Sequence, residues 1–171
     1  FANSTLVATV EAYPSSTTFS KDIALSSGSH FIYTRQLSAT NQILTNPSLP
    51  LKIVVDVAAP SLPSLPYLEV GSDTNITSDN VTNITTPTIA GTGEVGALVT
   101  LFNDLNNDGQ VGPSEVLNSS ILVDGVGHWS YVTNALAQGT YAIRAVQTDV
   151  AGNISPSSAT LTLKIDTQVE A

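Results

Sequence analysis

The sequence predicts an all-β protein made of two tandem β-sandwich modules, and three observations carry that prediction. No segment keeps a helical period of apolar residues over three turns, whereas short runs of strand-forming residues recur between Gly, Pro, Asn and Ser. A set of small motifs occurs twice in the same order, at an offset of about 110 residues. The proline-rich stretch PSLPSLP separates the two copies.

The strands are predicted from alternation of apolar and polar residues. In the segment LTLKID, Leu161, Leu163 and Ile165 are expected to face a core, and the residues between them to face water. The segment TYAIRAVQTD alternates in the same way. Short strands of this kind, separated by turn residues, favour a β-sandwich.

The internal repeat predicts the domain organisation. The matched positions, at offsets of 110 to 112 residues, are Phe19 with Trp129, Gly28 with Gly139, Asn41 with Asn153 and Leu51 with Leu163. We therefore expect a partial module at residues 1–59, which lacks its first strand, and a complete module at residues 60–171. Pro60 to Pro66 is expected to be a stiff spacer between them.

The composition limits the partners and the location. With 14 acidic residues against 5 basic ones and a formal charge of −9, the chain offers no basic surface for nucleic acid. It has no cysteine, which excludes disulfides and thiolate zinc sites. No apolar run approaches the ~20 residues that cross a bilayer, so no membrane insertion is expected. A surface of Ser, Thr and Asn with few charges predicts an extracellular or cell-surface protein.

One twelve-residue stretch, DLNNDGQVGPSE from Asp104 to Glu115, has the spacing of a calcium loop. Short oxygen-bearing side chains two residues apart converge on one point, and Gly109 permits the sharp bend between them. Strand formers flank the stretch, so it is predicted to join two strands; the alternative is an acidic surface turn. The expected Ca²⁺ ligands are Asp104, Asn106, Asp108, the carbonyl of Gln110, and Glu115.

Several short motifs occur in the second module: Thr86-Pro87-Thr88-Ile89 leading to Gly91, the acidic loop, Trp129-Ser130, Gly139-Thr140-Tyr141, and Asp149 with Gly152-Asn153. Together they resemble the bacterial Ig-like repeats of giant secreted adhesins and surface proteins. The resemblance covers most of the second module and is weak in the first. It implies tandem immunoglobulin-like sandwiches, stiffened by calcium, that act as spacers or matrix-building units outside the cell.

A second calcium site is predicted where the end of one module would meet the start of the next. Carboxylates of two modules around one ion would stiffen the joint, because the ion stabilises only the docked arrangement. The alternative is that these residues are solvated loop acids. The candidates are Asp56, Asp73, Asp79 and Asp149.

No catalytic site is predicted. His30 and His128 are the only histidines, and no serine lies in a nucleophile elbow or another catalytic signature. We therefore expect structural roles for both histidines and no enzymatic activity. Trp129 is expected in the core and not as a platform for sugar, since Phe19 matches it in the first copy.

The short first module is expected to need completion. A sandwich without its first strand leaves unpaired N–H and C=O groups on a neighbouring strand, and such an edge pairs readily with another chain. The donor would be the preceding part of the same polypeptide or a neighbouring copy in a head-to-tail filament. The alternative is that Phe1–Thr5 folds back as a makeshift strand.

Two functions fit these observations. The first is a non-enzymatic structural or adhesive repeat, a calcium-stiffened spacer or filament unit of a bacterial surface protein. The second is a ligand-binding module, for carbohydrate or another surface ligand, attached to a secreted enzyme or an adhesin tip. A long array of similar repeats in the flanking sequence would favour the first, and a neighbouring catalytic domain the second.

Overall fold

A computed structural model of the chain describes residues 7–10, 18–38, 40 and 42–168. These residues form ten strands and no helix, which confirms the all-β class. The described residues include no helix that is long and apolar enough to cross a membrane. The strands are β1 (Gly28–Ile32), β2 (Leu51–Val55), β3 (Tyr67–Leu68), β4 (Val81–Thr82), β5 (Thr88–Thr92), β6 (Leu98–Asn103), β7 (Val116–Leu122), β8 (His128–Val132), β9 (Gly139–Thr148) and β10 (Leu161–Ile165).

Contacts between residues divide the chain into two compact units, Phe1–Asp56 and Val57–Ala171. This division lies three residues before the boundary that the sequence predicts, 59 to 60. The two units are described separately below.

The second unit is a sandwich of two sheets. One sheet has five strands in the order β4-β10-β9-β6-β7, and the other has three in the order β3-β5-β8. All the pairs are antiparallel except β4 with β10. Strands β6 and β7 pair from Leu98 with Leu122 to Phe102 with Val116, with irregular register near Leu101, and they enclose the acidic loop. This loop therefore joins two strands, as predicted.

The core of the second unit lies between its two sheets. Strand β10 alternates strictly, with its three apolar side chains buried and Thr162 and Lys164 exposed, as predicted. Trp129 from the smaller sheet packs into the same cluster, which confirms its predicted position in the core. The fully buried side chains that face one another include Ile89, Val99, Leu101, Ile143, Leu163 and Ile165.

The proline-rich stretch is packed onto the second unit, so the prediction of a spacer is wrong for it. Pro60, Pro63 and Pro66 are buried. Their spacing of three matches the three-residue turn of polyproline II, which places them on one face, and proline buries no N–H group there. Ser64 donates its N–H to Thr92 O (3.0 Å), and the N–H of Thr92 donates to Ser64 Oγ (2.8 Å).

The described part of the first unit contains one two-stranded sheet. Strands β1 and β2 are antiparallel, from Gly28 with Val55 to Ile32 with Leu51. The matching strands of the second unit, β9 and β10, are also antiparallel, and Gly139 pairs there with Ile165. A complete first sandwich stays a prediction, and Asn41 and Phe1–Thr5 lie outside the described residues.

The segment after β1 repeats the hydrogen-bonding scheme of the later part of β9 and the turn after it, 111 residues further along. In each unit the side-chain oxygen of the first turn residue, Ser38 or Asp149, accepts the N–H groups two and four residues later. The two units therefore contain the same turn, with equivalent backbone hydrogen bonds at equivalent positions. The matched pairs are Leu37–Ile43 with Thr148–Ile154, Ser38 N–Gln42 O with Asp149 N–Asn153 O, and Leu44 N–Gln36 O with Ser155 N–Gln147 O.

Replacement of Gly91 by alanine is expected to destabilise the second unit. Gly91 pairs with Trp129 across β5 and β8, and a Cβ at Gly91 would lie 2.4 Å from Cζ2 of the buried indole. Because the core leaves little room for the ring to move, Gly91→Ala should lower the free energy of unfolding by about 1–3 kcal/mol. The measurement is denaturant unfolding followed by the fluorescence of Trp129, the single tryptophan.

Gly125→Ala is the matched control, since a Cβ there meets nothing within 4 Å. It should change the stability by less than about 0.5 kcal/mol. Equal stability of the two variants would contradict the close contact between Gly91 and the indole.

Candidate metal centre

The acidic loop of residues 104–115 is tied to the sheet at both ends. Asn103 donates its N–H to Glu115 O (2.9 Å), and Asp104 donates its N–H to Ala142 O on β9 (2.8 Å). The first and last residues of the loop are therefore held at the edge of the five-stranded sheet where β6 ends and where β7 and β9 begin. As a result the carboxylates of Asp104 and Glu115 are buried, with residue exposures of 2% and 6%.

The first half of the loop folds around Asp104. Oδ1 of Asp104 accepts the N–H of Asp108 (3.1 Å), and Oδ2 accepts that of Gly109 (3.0 Å). Asn107 (φ +57°) and Gly109 (φ +71°) adopt left-handed backbone, which turns the chain back onto the carboxylate. Oδ1 of Asn106 also accepts the N–H of Asp108 (3.2 Å), so side-chain oxygens of positions 1 and 3 meet at one amide.

Glu115 closes the loop from its other end. Its Oε1 accepts the N–H of Leu105 (3.0 Å), and its Oε2 accepts that of Gly112 (2.8 Å). A Cβ at Gly112 would lie 2.7 Å from Oε2 of Glu115. Only glycine therefore fits at this position while the Glu115 side chain stays where it is.

A positively charged side chain, Arg144, contacts the loop, and the sequence analysis did not predict this contact. Arg144 on β9 places Nε 2.9 Å from Oδ2 of Asp104, and its Nη1 donates to Ser158 O (3.3 Å). The Nε–H group makes no well-directed hydrogen bond, so the contact with Asp104 is an attraction of charges. The Arg144 side chain is 21% exposed and that of Asp104 is fully buried, which leaves little screening by water.

Calcium fits the donor chemistry of the loop. The five predicted ligands supply only oxygen, which hard cations prefer. All six oxygens of Asp104, Asp108 and Glu115 accept one or more N–H groups, and a carboxylate oxygen has a further lone pair. Across the described residues, no three Asp, Glu, His or Cys side chains come close enough to hold a metal without other ligands. Asn106 and the carbonyl of Gln110 would therefore have to contribute, and the site stays a prediction.

The carboxylates predicted for a second calcium site do not form one group within the second unit. Asp73 and Asp79 lie in the loop between β3 and β4, near the start of β9, whereas Asp149 follows the end of β9. Because β9 has ten residues, about 30 Å separates its ends. Asp56 belongs to the first unit. A calcium ion between modules stays a prediction.

These carboxylates have local partners in the second unit. Asp149 Oδ1 accepts the N–H groups of Ala151 (2.8 Å) and Asn153 (2.9 Å), and its Oδ2 accepts Nδ2 of Asn153 (2.9 Å). The Asn153 side chain in particular lowers the pKa of Asp149. Asp79 Oδ1 accepts the N–H of Val81 (2.9 Å).

Asp73 differs from Asp79 and Asp149 because one of its carboxylate oxygens is buried without a hydrogen bond from the described part of the chain. Its Oδ2 accepts the N–H of Ser78, and its Oδ1 is buried without a hydrogen-bond partner among the described residues.

The histidines and aromatic residues have the positions of structural groups. His30 is half-buried, and its Nε2 lies 2.7 Å from Ser26 O. His128 donates its backbone N–H to Asp124 Oδ1 (2.8 Å), which lowers the pKa of Asp124. Trp129 is buried in the core, and the half-exposed Tyr67 lies beside Glu69 in a shallow cleft of about 310 Å³.

Two substitutions of Asp149 are expected to distinguish the stabilising effect of its negative charge from that of its hydrogen bonds in the turn. Ser38 forms the corresponding two bonds in the first unit, so Asp149→Ser should keep the turn better than Asp149→Ala and lose the charge. The hydrogen bonds lower the pKa of Asp149, so its charged form stabilises the fold at neutral pH. That contribution is lost as the pH falls below about 4 and through the folded-state pKa.

The measurement is the melting temperature of the wild-type chain and of both variants between pH 7 and about pH 2.5. The gap between wild type and Asp149→Ser should shrink with falling pH. A gap that does not change over this range would contradict a role of the charge.

Comparison with known proteins gives one family. The family model described as bacterial Ig-like domain matches residues 60–167, which include nearly all of the second unit. A search of curated proteins found no match.

Proposed function

The chain belongs to the bacterial Ig-like domain family, and on that premise we propose that it is a non-enzymatic structural repeat of a bacterial surface protein. The observation that carries the proposal is the repeated hydrogen-bonding scheme, at one offset of 111 residues, in the two units. Tandem copies of one module are a common way to build long extracellular spacers. The protein would lie outside the cell, where its acidic, Ser- and Thr-rich surface suits water and salt.

The acidic loop is the part of this repeat that would respond to calcium. Asp104, Asn106, Asp108, the Gln110 carbonyl and Glu115 would hold the ion, which, when bound, would neutralise carboxylates that lie close together. The chain itself fixes the ends of the loop, because Asn103 on β6 donates its N–H to Glu115 O and Asp104 donates its N–H to Ala142 O on β9. A ligand of the folded state adds stability by mass action, so calcium would stiffen the β6–β7 connection.

Calcium binding to the full chain is expected in isothermal titration calorimetry. Asp108→Ala removes one carboxylate of the loop and leaves the buried Asp104 and Glu115 in place, so it should weaken binding strongly. Calcium should also raise the melting temperature that Trp129 reports, since the tryptophan lies in the unit with the loop.

Asp124→Ala, in the turn between β7 and β8, is the control for loss of an acidic turn residue. It should bind calcium as the wild type does. No calcium-dependent heat, or the same heat with Asp108→Ala, would reject the site.

Carbohydrate binding is the weaker function. A sugar-binding surface of the common kind needs exposed aromatic rings, and Trp129, the residue best suited to stack on a sugar, is 3% exposed. Among the described aromatic residues of the second unit, Tyr67 is the exposed one, and a single ring in a shallow cleft does not make a stacking platform of the usual kind.

We further propose that the first unit is completed by a strand from a neighbouring Ig-like module, of the same polypeptide or of another copy. Apolar residues of the first unit are exposed where their matches are buried: Phe19 is 62% exposed against 3% for Trp129, and Leu51 is 61% exposed against 0% for Leu163. Among the described residues of the first unit, β1 and β2 form the one sheet, so no second sheet covers these side chains there. A strand added at such an edge would supply main-chain hydrogen bonds and cover the apolar face.

An extended chain tests this completion. A second copy of residues 60–95, which contain β3, β4 and β5, is placed ahead of residue 1 through a short flexible linker. The extension should raise the hydrogen-exchange protection of β1 and β2, because their uncovered face gains a partner sheet. A Gly/Ser extension of equal length is the control, and equal protection with both extensions would reject the proposal.

A further inference from the structure

We propose that Arg144 is the resident cation of the acidic loop and that it sets the affinity of the loop for calcium. The inference rests on the proposed calcium site and goes beyond it, because it assigns the control of that site to a residue outside the loop. Arg144 lies on β9, 40 positions after Asp104.

The position of Arg144 follows from the pairing of β6 with β9. Phe102 is the register partner of Arg144, and Asp104 comes two residues later, with its N–H bonded to Ala142 O. This arrangement brings Nε of Arg144 to 2.9 Å from the buried Oδ2 of Asp104. A Cβ at Gly109 would lie 3.5 Å from Nη1 of Arg144, so the guanidinium also stands against the bend of the loop.

Without a metal ion, the loop needs this charge. Asp104, Asp108 and Glu115 bring three negative charges into twelve residues, and two of the three carboxylates are buried. Backbone N–H groups and the side-chain amide of Asn106 satisfy their hydrogen bonds, and among the described residues Arg144 forms the ion pair with this group. The guanidinium therefore lets the loop keep its turn without calcium.

The same charge opposes calcium. An ion bound to Asp104 would lie within a few ångströms of the guanidinium, and two positive charges in a site with little water repel each other strongly. The arginine must then either share the carboxylate with the ion or move away from it, toward Ser158 O, which Nη1 already contacts at 3.3 Å. Both routes lower the affinity of the loop for calcium. The loop therefore needs a higher calcium concentration to bind the ion than it would need without the arginine.

Calorimetry with calcium chloride on the full chain tests the inference. Arg144→Gln keeps hydrogen-bond donors and removes the charge, and its Kd for calcium should fall by about tenfold or more. Arg144→Lys keeps a charge, so its Kd should stay nearer to that of the wild type. Lys164→Gln is the control for loss of a cationic side chain, because Lys164 on β10 forms its own ion pair with Asp166, with Nζ 2.8 Å from Oδ2.

Thermal unfolding gives a second readout. In EDTA, Arg144→Gln should melt below the wild type, because Asp104 loses its counter-charge; in saturating calcium this gap should close. If Arg144 were only a packing residue, the gap would be the same in both conditions and the Kd would not change. A variant that folds only with calcium would also support the inference.

The outcomes separate the two proposals. Wild type and Arg144→Gln that bind calcium with equal Kd would overturn the role of Arg144 and leave the calcium site intact. Absence of binding in every variant would overturn the calcium site, and the inference with it. Binding by Arg144→Gln alone would support both, and would show that the arginine excludes the ion from the wild-type loop.

Discussion

The conformation of the acidic loop follows from two buried carboxylates, Asp104 and Glu115. A charged group taken out of water costs several kcal/mol unless hydrogen bonds and an opposite charge compensate it. Four N–H groups of the loop and the guanidinium of Arg144 provide that compensation. The left-handed backbone of Asn107 and Gly109 is the geometry that brings two of those N–H groups to Asp104.

The parts of this site that the sequence predicts are local. A tight loop is indicated by the spacing of Asp104, Asn106 and Asp108 and by the glycine that follows them. All four residues lie within six consecutive positions, so the signal is local. Strand alternation predicts β10 for the same reason, since burial there follows a period of two. The contact with Arg144 has no such signal, because it depends on the register between β6 and β9, and no local pattern sets that register.

The proline-rich segment shows a second limit of local reasoning. Prolines at every third position suit a free polyproline helix and a packed one equally well, since both use the same backbone. Acceptors and donors outside the segment make the difference. Thr92 exchanges two hydrogen bonds with Ser64, and the buried Gln147 donates its Nε2 to Ser61 O (2.7 Å) and accepts the N–H of Glu94 (2.8 Å). Gln147 thus joins this segment to β9.

The two units share local structure and differ in long-range packing. The turn that begins at Ser38 or Asp149 needs only a side-chain oxygen and a few backbone groups, so it forms in both units with different residues. Burial of Trp129 requires a second sheet, because the ring packs against residues of the larger sheet as well as its own. Phe19, at the matching position, remains largely exposed because the described residues of the first unit form only one small sheet. Local hydrogen bonds thus form the same turn in both units, whereas burial of a large aromatic side chain depends on a second sheet, which the described residues show in the second unit.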